Sequence, residues 1–323
     1  MAAPRTYGFP SPSVCVTVVI AMLAMVAVPA AITLHTIHIP GPPIPVDQNS
    51  TPHGYTRSLL LFIVPIAVIG GWFVPSEGLH IPRRAFLWTL LILVPLGCLL
   101  DFVFAQWFFR YPNLGATLHI LAPALGHWVP LEEYVFYLTG FLLILLLYIW
   151  LGEFWLAAYN VPDYPAEARK MERLLQFHPT SLILGLFLIG AAYVYKKYFA
   201  LTVERGGFPG YFTLLVVGGL SPAVSFFPVA KRFINWRAFS LTFFFMVLIS
   251  LLWEATLAVP YNWWNYQHRQ MIGLFIGAWA GLPIEAVCVW IAVTYAAVIV
   301  FEVVKIRLAL PDGRQPRGPI ERH

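Results

Sequence analysis

The chain has 323 residues, of which 59% are hydrophobic, 16% aromatic and 11% charged. A soluble domain carries about 25% charged residues because its surface must stay hydrated, so this composition excludes an ordinary water-soluble globular protein. The net charge of +5 follows from the loop bias described below and predicts no nucleic-acid partner.

Eight apolar runs are long enough to cross a membrane as helices. The ~30 Å hydrocarbon core of a bilayer requires about 20 helical residues. The runs lack the polar alternation of a lipid-facing barrel strand, and a helix satisfies its own backbone in lipid. The sequence therefore predicts an all-α, polytopic membrane helix bundle. Its spans in chain order are 14–35, 57–76, 86–106, 118–151, 180–200, 209–229, 238–258 and 271–304.

The basic residues of the connections predict an orientation. With eight spans, fourteen Lys and Arg residues fall on the side of both termini and six on the other side. By the positive-inside rule we expect a multi-pass protein of the cell membrane with both termini in the cytoplasm. The first run has a second interpretation, because Arg5, a short apolar stretch and the segment AVPAA at 27–31 also resemble a cleaved secretory signal.

The chain contains an internal repeat. The tripeptide RAF at 84–86 aligns with RAF at 237–239 at an offset of 153 residues, and the register continues without a gap. It pairs Asp101 with Glu254 and Glu132 with Glu285, which is informative because acidic residues are scarce in this chain. Since the offset equals four spans, the two units should have the same orientation and be related by a pseudo-twofold axis along the membrane normal.

The repeat divides the chain into five parts. We expect an N-terminal helix and outer loop at 1–56, a first three-helix repeat at 57–151, and a cytoplasmic loop with a linking helix at 152–208. A second three-helix repeat follows at 209–304, and a basic cytoplasmic tail at 305–323. A functional site is expected between the two halves.

Five acidic residues inside the apolar runs are candidates for a functional site: Asp101, Glu132, Glu133, Glu254 and Glu285. A charged side chain at the centre of an inserted helix costs about 2.5 to 3.5 kcal/mol, so such groups generally face the bundle interior. Glu132 and Glu285 each follow a proline by two positions, which places them on first helical turns, where free N–H groups favour the charged form. Burial favours the protonated form, and the sequence leaves both states open.

Adjacent helical residues project about 100° apart, so Glu132 and Glu133 cannot both point squarely into one pocket. The repeat favours Glu132, because the partner of Glu133 is Ala286. The alternative role for all five acids is to cap helix ends or to pair with Arg and His near the interface. That alternative applies most directly to Glu133.

Aromatic residues crowd the same region of both units. An interfacial aromatic belt accounts for many of them, and the others could stabilise a carbocation through their π faces. The expected substrate-binding side chains are Trp128, Tyr134, Tyr137, Trp253, Trp264 and Trp290.

Motifs for other chemistries are absent from the sequence. Its histidines at 35, 38, 119, 127 and 268 do not form the repeated boxes of a membrane di-iron oxygenase, and the cysteines at 15, 98 and 288 show no CxxC spacing. There is no GxGxxG, no P-loop and no DDxxD-type pair. We therefore expect no metal and no cofactor.

At these motifs the sequence resembles the membrane-integral lycopene cyclases of bacteria, archaea and fungi, which occur as two small three-helix subunits or as their fusion. The resemblance rests on VPLEEYVFY at 129–137 and GLPIEAVCVW at 281–290, with LLDFVFA at 99–105 and LLWEATLAVPYNWW at 251–264 upstream. It covers 57–151 and 209–304. The chain departs from the family at Ala286, where a second acid is usual.

The resemblance implies a cofactor-free isomerisation of a linear carotenoid, either lycopene or a related C40 or C50 polyene. A carboxylic acid protonates the terminal C1=C2 bond, the C5=C6 bond attacks the cation, and proton loss leaves the β ring of γ- or β-carotene. It implies Glu132 as proton donor, Glu285 or Glu254 in the final proton loss, and Glu133 and Asp101 as further acids. The implied partners are membrane lipid and other enzymes of carotenoid biosynthesis.

Two other functions stay open on the sequence alone. A non-catalytic membrane transporter or assembly subunit could use the same acids to bind protons or cations. A CAAX-type intramembrane protease also uses adjacent glutamates. That family needs an arginine on the next helical turn and intramembrane histidine ligands, whereas the next turn here includes Leu138.

Overall fold

The computed structural model describes residues 43–48, 51–76, 81–169, 178–201 and 204–310. Within these ranges seven helices are long and apolar enough to cross a membrane, and the protein is a mostly helical bundle. The span predicted at 14–35 and residues 311–323 of the predicted tail lie outside the described residues. The seven helices are α1 Gly54–Phe73, α2 Arg83–Phe108, α3 Leu131–Trp155, α4 Thr180–Tyr198, α5 Gly210–Ala230, α6 Trp236–Ala258 and α7 Glu285–Ala309.

Two helices begin later than the sequence predicts, because short antiparallel strand pairs precede them. Residues 118–130 and 271–284 form strands and turns, so α3 begins at Leu131 and α7 at Glu285. Both runs contain turn glycines with a positive φ, 79° at Gly126 and 70° at Gly281, a conformation that glycine adopts without strain. The strand pairs are β2 (Leu121–Ala124) with β3 (His127–Pro130), and β5 (Phe275–Ile276) with β6 (Leu282–Pro283).

A third strand pair connects the two halves. β1 (Phe109–Arg110) follows α2 and pairs antiparallel with β4 (Asn265–Tyr266), with Phe109 opposite Tyr266. All six strands lie at one end of the bundle, which we call the hairpin end; α1, α3, α5 and α7 begin there and α2, α4 and α6 end there. Short helical turns in the connections are Val46–Gln48, Leu114–Ala116, Ala157–Tyr159, Tyr164–Arg169, His268–Gln270 and Gly277–Trp279.

Helices α3 and α7 form the centre of the bundle. In the most apolar 18-residue stretch of α3, 72% of the residues are buried inside the protein. Helix α3 packs against α1, α2, α6 and α7. Helix α7 packs against α2, α3, α5 and α6. By contrast α4 packs mainly on α5 and leaves Leu186 71% and Phe187 69% exposed, which is the pattern of a lipid-facing helix.

Four of the long helices contain a π-helical turn, at Ile69–Phe73, Leu151–Trp155, Val216–Leu220 and Glu254–Ala258. Such a turn widens the helix locally and often lies at a functional site. The last of them begins at Glu254, one of the candidate acids, so the backbone of α6 is irregular where that carboxyl group leaves the helix.

Buried polar contacts fix the end opposite the hairpins. The carboxyl group of Glu302 on α7 accepts hydrogen bonds from the hydroxyls of Tyr148 at 3.0 Å and Tyr164 at 2.9 Å. Lys305 lies 3.3 Å from the same carboxyl group. Asn235 caps α6 by accepting the N–H of Ala238 at 3.1 Å. These contacts join α3, α6, α7 and the loop before α4, so Glu302 already has partners in a structural cluster.

Candidate functional site

A cavity of about 70 Å³ lies near the hairpin end, between α3, α6 and α7, and we call it the inner cavity. Two carboxyl groups line it, Glu133 from the first half of the chain and Glu254 from the second. Glu133 is 9% and Glu254 4% exposed. Most of the remaining wall is aromatic, so the cavity combines two acids with an apolar surround.

The position of Glu133 follows from the start of α3. Because the helix begins at Leu131, directly after Pro130, Glu133 lies on its first turn and points inward. The hydroxyl of Tyr55 on α1 donates a hydrogen bond to Oε1 of Glu133. Tyr55 is completely buried, and the side chain of Tyr111 lies beside the same carboxyl group. Tyr55 therefore holds the acid through a hydrogen bond, whereas the Tyr111 hydroxyl has no hydrogen-bond partner among the described residues.

Glu254 has a hydrogen-bond donor on each carboxyl oxygen. Tyr266 donates its hydroxyl to Oε2, and the indole N–H of Trp290 donates to Oε1 at 3.3 Å. Burial raises the pKa of Tyr266 well above its ordinary value, and the neighbouring Glu254 carboxyl group raises it further. The phenol is therefore a neutral donor over the physiological range, and two donors are the arrangement that stabilises a carboxylate.

The aromatic wall is built from closely packed rings of both halves. The Trp253 and Trp264 ring centroids are 4.6 Å apart, and Phe136 lies 4.8 Å from Trp253. The indole N–H of Trp253 donates to the Ser58 hydroxyl at 2.6 Å, which fixes the ring orientation. A cation formed inside this wall would be stabilised by the π faces, an effect worth about 2 kcal/mol or more when the cation is desolvated.

A second cavity of about 100 Å³ adjoins the first and shares Tyr137, Phe141 and Tyr211 with it. It runs between α2, α5 and α7, and we call it the lateral groove. Asp101 on α2 lines this groove and is 3% exposed. The Tyr137 side chain lies beside its carboxyl group. Among the described residues, Oδ2 of Asp101 has no hydrogen-bond partner.

Glu132 and Glu285 line neither cavity and are held by loop backbone instead. Oε1 of Glu132 accepts the N–H of Leu118 at 2.8 Å and the hydroxyl of Thr56 at 2.5 Å. Oε1 of Glu285 accepts the N–H of Ile272. In the structure Glu133, rather than the expected Glu132, lines the inner cavity, because the first turn of α3 turns Glu132 toward the loop at 114–118.

Four of the six predicted substrate-binding aromatics line the inner cavity, namely Tyr137, Trp253, Trp264 and Trp290. The other two do not line either cavity. Trp128 is 64% exposed on β3, and the hydroxyl of Tyr134 donates to the carbonyl of Pro123 in the neighbouring strand at 2.8 Å. Both fit the interfacial role that the sequence left open for part of the aromatic set.

Two tyrosines of the site were missed in the sequence. The apolar run that predicts α1 begins at 57 and leaves out Tyr55. In the structure α1 begins at Gly54, so Tyr55 belongs to its first turn. Tyr211 falls inside an apolar run, and nothing in the run marks it as a site residue. In the structure it lies on the first turn of α5 and lines both cavities. A tyrosine at the start of a predicted span is the sequence feature that points to both residues.

The described residues contain no group of three or more His, Cys, Asp or Glu side chains arranged to hold a metal ion. The arrangement offers three carboxyl groups, several neutral phenols and a wall of π faces in an apolar interior. Chemically, such a site is suited to proton transfer to and from an apolar molecule and to the stabilisation of a cation.

Comparisons of the chain with protein-family models, with curated proteins and with solved structures give no match.

Proposed function

We propose that this protein is a carotenoid cyclase of the lycopene β-cyclase type, which closes the ends of a linear carotenoid by acid catalysis without a cofactor. One observation carries the proposal: carboxyl groups from both halves of the chain line one buried, aromatic-walled cavity inside a membrane-type bundle. The lycopene-cyclase resemblance of the motifs at 129–137 and 281–290 supplies the substrate class.

The chemistry of ring closure fits this cavity. Protonation of a terminal C=C bond needs a carboxylic acid whose proton points at an apolar molecule, and an apolar surround favours the neutral form of a carboxyl group. The cation that results is stabilised by the π faces of Trp253, Trp264 and Phe136. Proton loss then needs a base, and the atoms balance because one proton enters and one leaves.

We assign the incoming proton to the pair formed by Asp101 and Glu133. These two carboxyl groups lie close enough to interact electrostatically, and neighbouring carboxyl groups disfavour double ionisation, so that one retains its proton. Oδ2 of Asp101 has no donor among the described residues, and the same is true of Oε2 of Glu132 and of Glu285. Of these three acids Asp101 is the one that lines a cavity, so we assign the proton to its oxygen. We assign the final proton loss to Glu254, whose two donors suit a carboxylate.

Glu132 and Glu285 have positioning roles in this proposal. Each accepts a backbone N–H from the preceding loop, 14 residues earlier for Glu132 and 13 for Glu285. The similar geometry, in which the acids are offset by 153 residues and their donors by 154, supports the internal duplication and with it a site between two related halves. The proposal retains eight spans, a cell-membrane location and cytoplasmic termini.

The test is expression in a lycopene-accumulating host, followed by chromatographic separation of the pigments. Wild type is expected to convert lycopene into γ- or β-carotene, and Glu133→Gln and Glu254→Gln are expected to lower conversion by a hundredfold or more. General acid–base catalysis contributes about 10²- to 10⁴-fold.

A matched control is Glu153→Gln, which changes a carboxyl group on the same helix as Glu133 but at its other end, and it should convert like wild type. Unchanged lycopene, with wild-type protein present in the membrane, would refute the cyclase and leave proton or cation transport as the function of the acids.

A further inference from the structure

We infer that the lateral groove is the binding site for the linear part of the substrate, a rigid apolar polyene that lies along α2 and reaches the cavity from the lipid. This inference rests on the proposed function and adds where the chain lies and how it arrives. It uses the groove, the buried carboxyl group in it, and its continuity with the inner cavity.

The shape of the groove matches a rod. The residues of α2 that line it, from Leu93 to Phe108, recur at intervals of three and four and form one continuous face. At 1.5 Å per residue this face is about 22 Å long, which is most of the ~30 Å hydrocarbon core of a bilayer. A long unbranched chain would lie along the helix there, roughly parallel to the membrane normal.

Glycines and alanines form the wall of the groove opposite α2, so no large side chain fills the space there. Gly218 and Gly219 on α5 face it, with Ala292 and Ala296 on α7. A Cβ atom at Gly218 would lie 3.6 Å from Cδ1 of Leu100 on α2, which is an ordinary van der Waals distance, so Leu100 lies directly opposite Gly218. Small side chains here leave a slot for a flat chain, and any large side chain would fill it.

The groove opens to the lipid-facing surface and continues into the site. Leu96, on its rim, is 41% exposed, whereas Tyr137, Phe141 and Tyr211 belong to both cavities. A molecule dissolved in the bilayer therefore has a sideways path between α2 and α5 that leads to Glu133 and Glu254.

A buried carboxyl group indicates which kind of chain the groove takes. Asp101 is 3% exposed, lines the groove, and Oδ2 has no hydrogen-bond partner among the described residues. A groove built for a saturated acyl chain gains nothing from a buried polar group, which costs free energy when it is unpaired. The O–H of a protonated Asp101 would instead donate a weak hydrogen bond to the π face of a C=C bond, so we assign the groove to a polyene.

The experiment measures binding separately from turnover. Purified protein is placed in phosphatidylcholine nanodiscs with lycopene, and the induced circular dichroism of the visible polyene band is recorded. Lycopene is achiral and gains this signal in a chiral surround, and because phosphatidylcholine is itself chiral, the signal of nanodiscs without the protein is subtracted. Wild type should give the signal in the presence of excess acyl chains, and Gly218→Phe should weaken binding at least tenfold. The matched control is Gly190→Phe on the lipid-facing α4, where no atom lies within 4 Å of a built Cβ, and it should bind like wild type.

If Gly218→Phe does not fold, Leu100→Phe fills the same space from the opposite wall and should show the same loss. Absence of a signal with wild type, or equal signals from wild type and a folded groove variant, would overturn the groove assignment. A signal in detergent that disappears in nanodiscs would assign the groove to lipid and also overturn it. If wild type binds in the expected manner but does not cyclise lycopene in the host, the groove stands and the proposed function fails.

Discussion

The two glutamates of the inner cavity differ in the donors that surround them. Glu254 receives hydrogen bonds on both oxygens, from Tyr266 and Trp290, whereas Tyr55 is the phenol that donates to Oε1 of Glu133. In the proposed reaction this difference separates the base from the acid. The phenol of Tyr266 should therefore act as a positioning residue for Glu254.

We expect Tyr266→Phe to lower lycopene conversion about 10- to 100-fold, since a hydrogen bond to a charged group contributes about 1.5 to 3 kcal/mol. The ring remains, so the packing of the cavity wall is kept. Tyr134→Phe is the matched control, because its hydroxyl donates to the Pro123 carbonyl and the residue lines neither cavity. Conversion by the two variants is compared at equal protein content in the membrane, and equal activity would remove Tyr266 from the mechanism.

Glu132 should matter for stability more than for chemistry. Its Oε1 accepts two hydrogen bonds, and a glutamine keeps an acceptor in that place. We expect Glu132→Gln to retain most of the activity and Glu132→Ala to lose about 1 to 3 kcal/mol of stability, the cost of leaving buried donors unpaired. Thermal unfolding in detergent and pigment analysis measure the two effects. Loss of conversion in a stable Glu132→Gln protein would make Glu132 the acid.

The five acids were identified as inward-facing from their scarcity in apolar runs, and all five are buried. Their individual orientations could not be predicted in the same way. Glu132 and Glu133 are adjacent, and the side that each faces depends on the start of α3 at Leu131. The β2–β3 strand pair sets that boundary. The sequence pattern does not show it, because the apolar run continues through the strands.

At the scale of helices, the close approach of α2 and α3 brings Asp101 near Glu133. Gly97 on α2 permits this approach, because a Cβ atom there would lie 2.7 Å from Cδ1 of Tyr137 and 3.1 Å from Cε2 of Phe141. Those two rings form the wall shared by both cavities. The contact between α2 and α3 therefore controls the shape of the site.

We expect Gly97→Ala to displace the Tyr137 ring and to destabilise the bundle by about 1 to 3 kcal/mol, the usual cost of overpacking. Conversion should fall as well, because Tyr137 lies beside Asp101. Gly190→Ala on α4 is the control, since nothing lies within 4 Å of its built Cβ. The unfolding temperatures of the two variants in the same detergent decide the question, and equal values would contradict close packing at Gly97.

At the end of the bundle opposite the hairpins, Asn235 connects the start of α6 to the loop after α3. Its side chain accepts the N–H of Ala238 at 3.1 Å and donates to the Leu156 carbonyl and to Oδ1 of Asn160, both at 2.8 Å. Loss of a helix cap costs about 0.5 to 2 kcal/mol, and the buried partners would add to this. We expect Asn235→Ala to lower the unfolding temperature while conversion per folded molecule stays unchanged. A selective loss of activity would connect this end to the site directly.

At the scale of the whole molecule, composition and apolar run length were sufficient to predict a helical membrane bundle. Seven of the eight predicted spans fall on described helices. The sequence pattern does not reveal the strand pairs before α3 and α7, because their apolar residues extend the neighbouring runs and the turns at Gly126 and Gly281 do not break the pattern. The sequence does not predict the cavities either, since they depend on contacts between helices that are distant in sequence, such as α2, α5 and α7.

In the proposed reaction the buried acids add one proton to a carotenoid end and remove another from it. Its most direct test incubates membranes containing the protein with preformed lycopene in deuterium oxide and measures the mass of the pigment products. Ring closure takes its proton from an exchanged carboxyl group and loses a carbon-bound proton. We therefore expect one deuterium per ring in wild type and no product from the double variant Asp101→Asn, Glu133→Gln. Cyclic product without deuterium, or unchanged lycopene with folded wild-type protein, would contradict it.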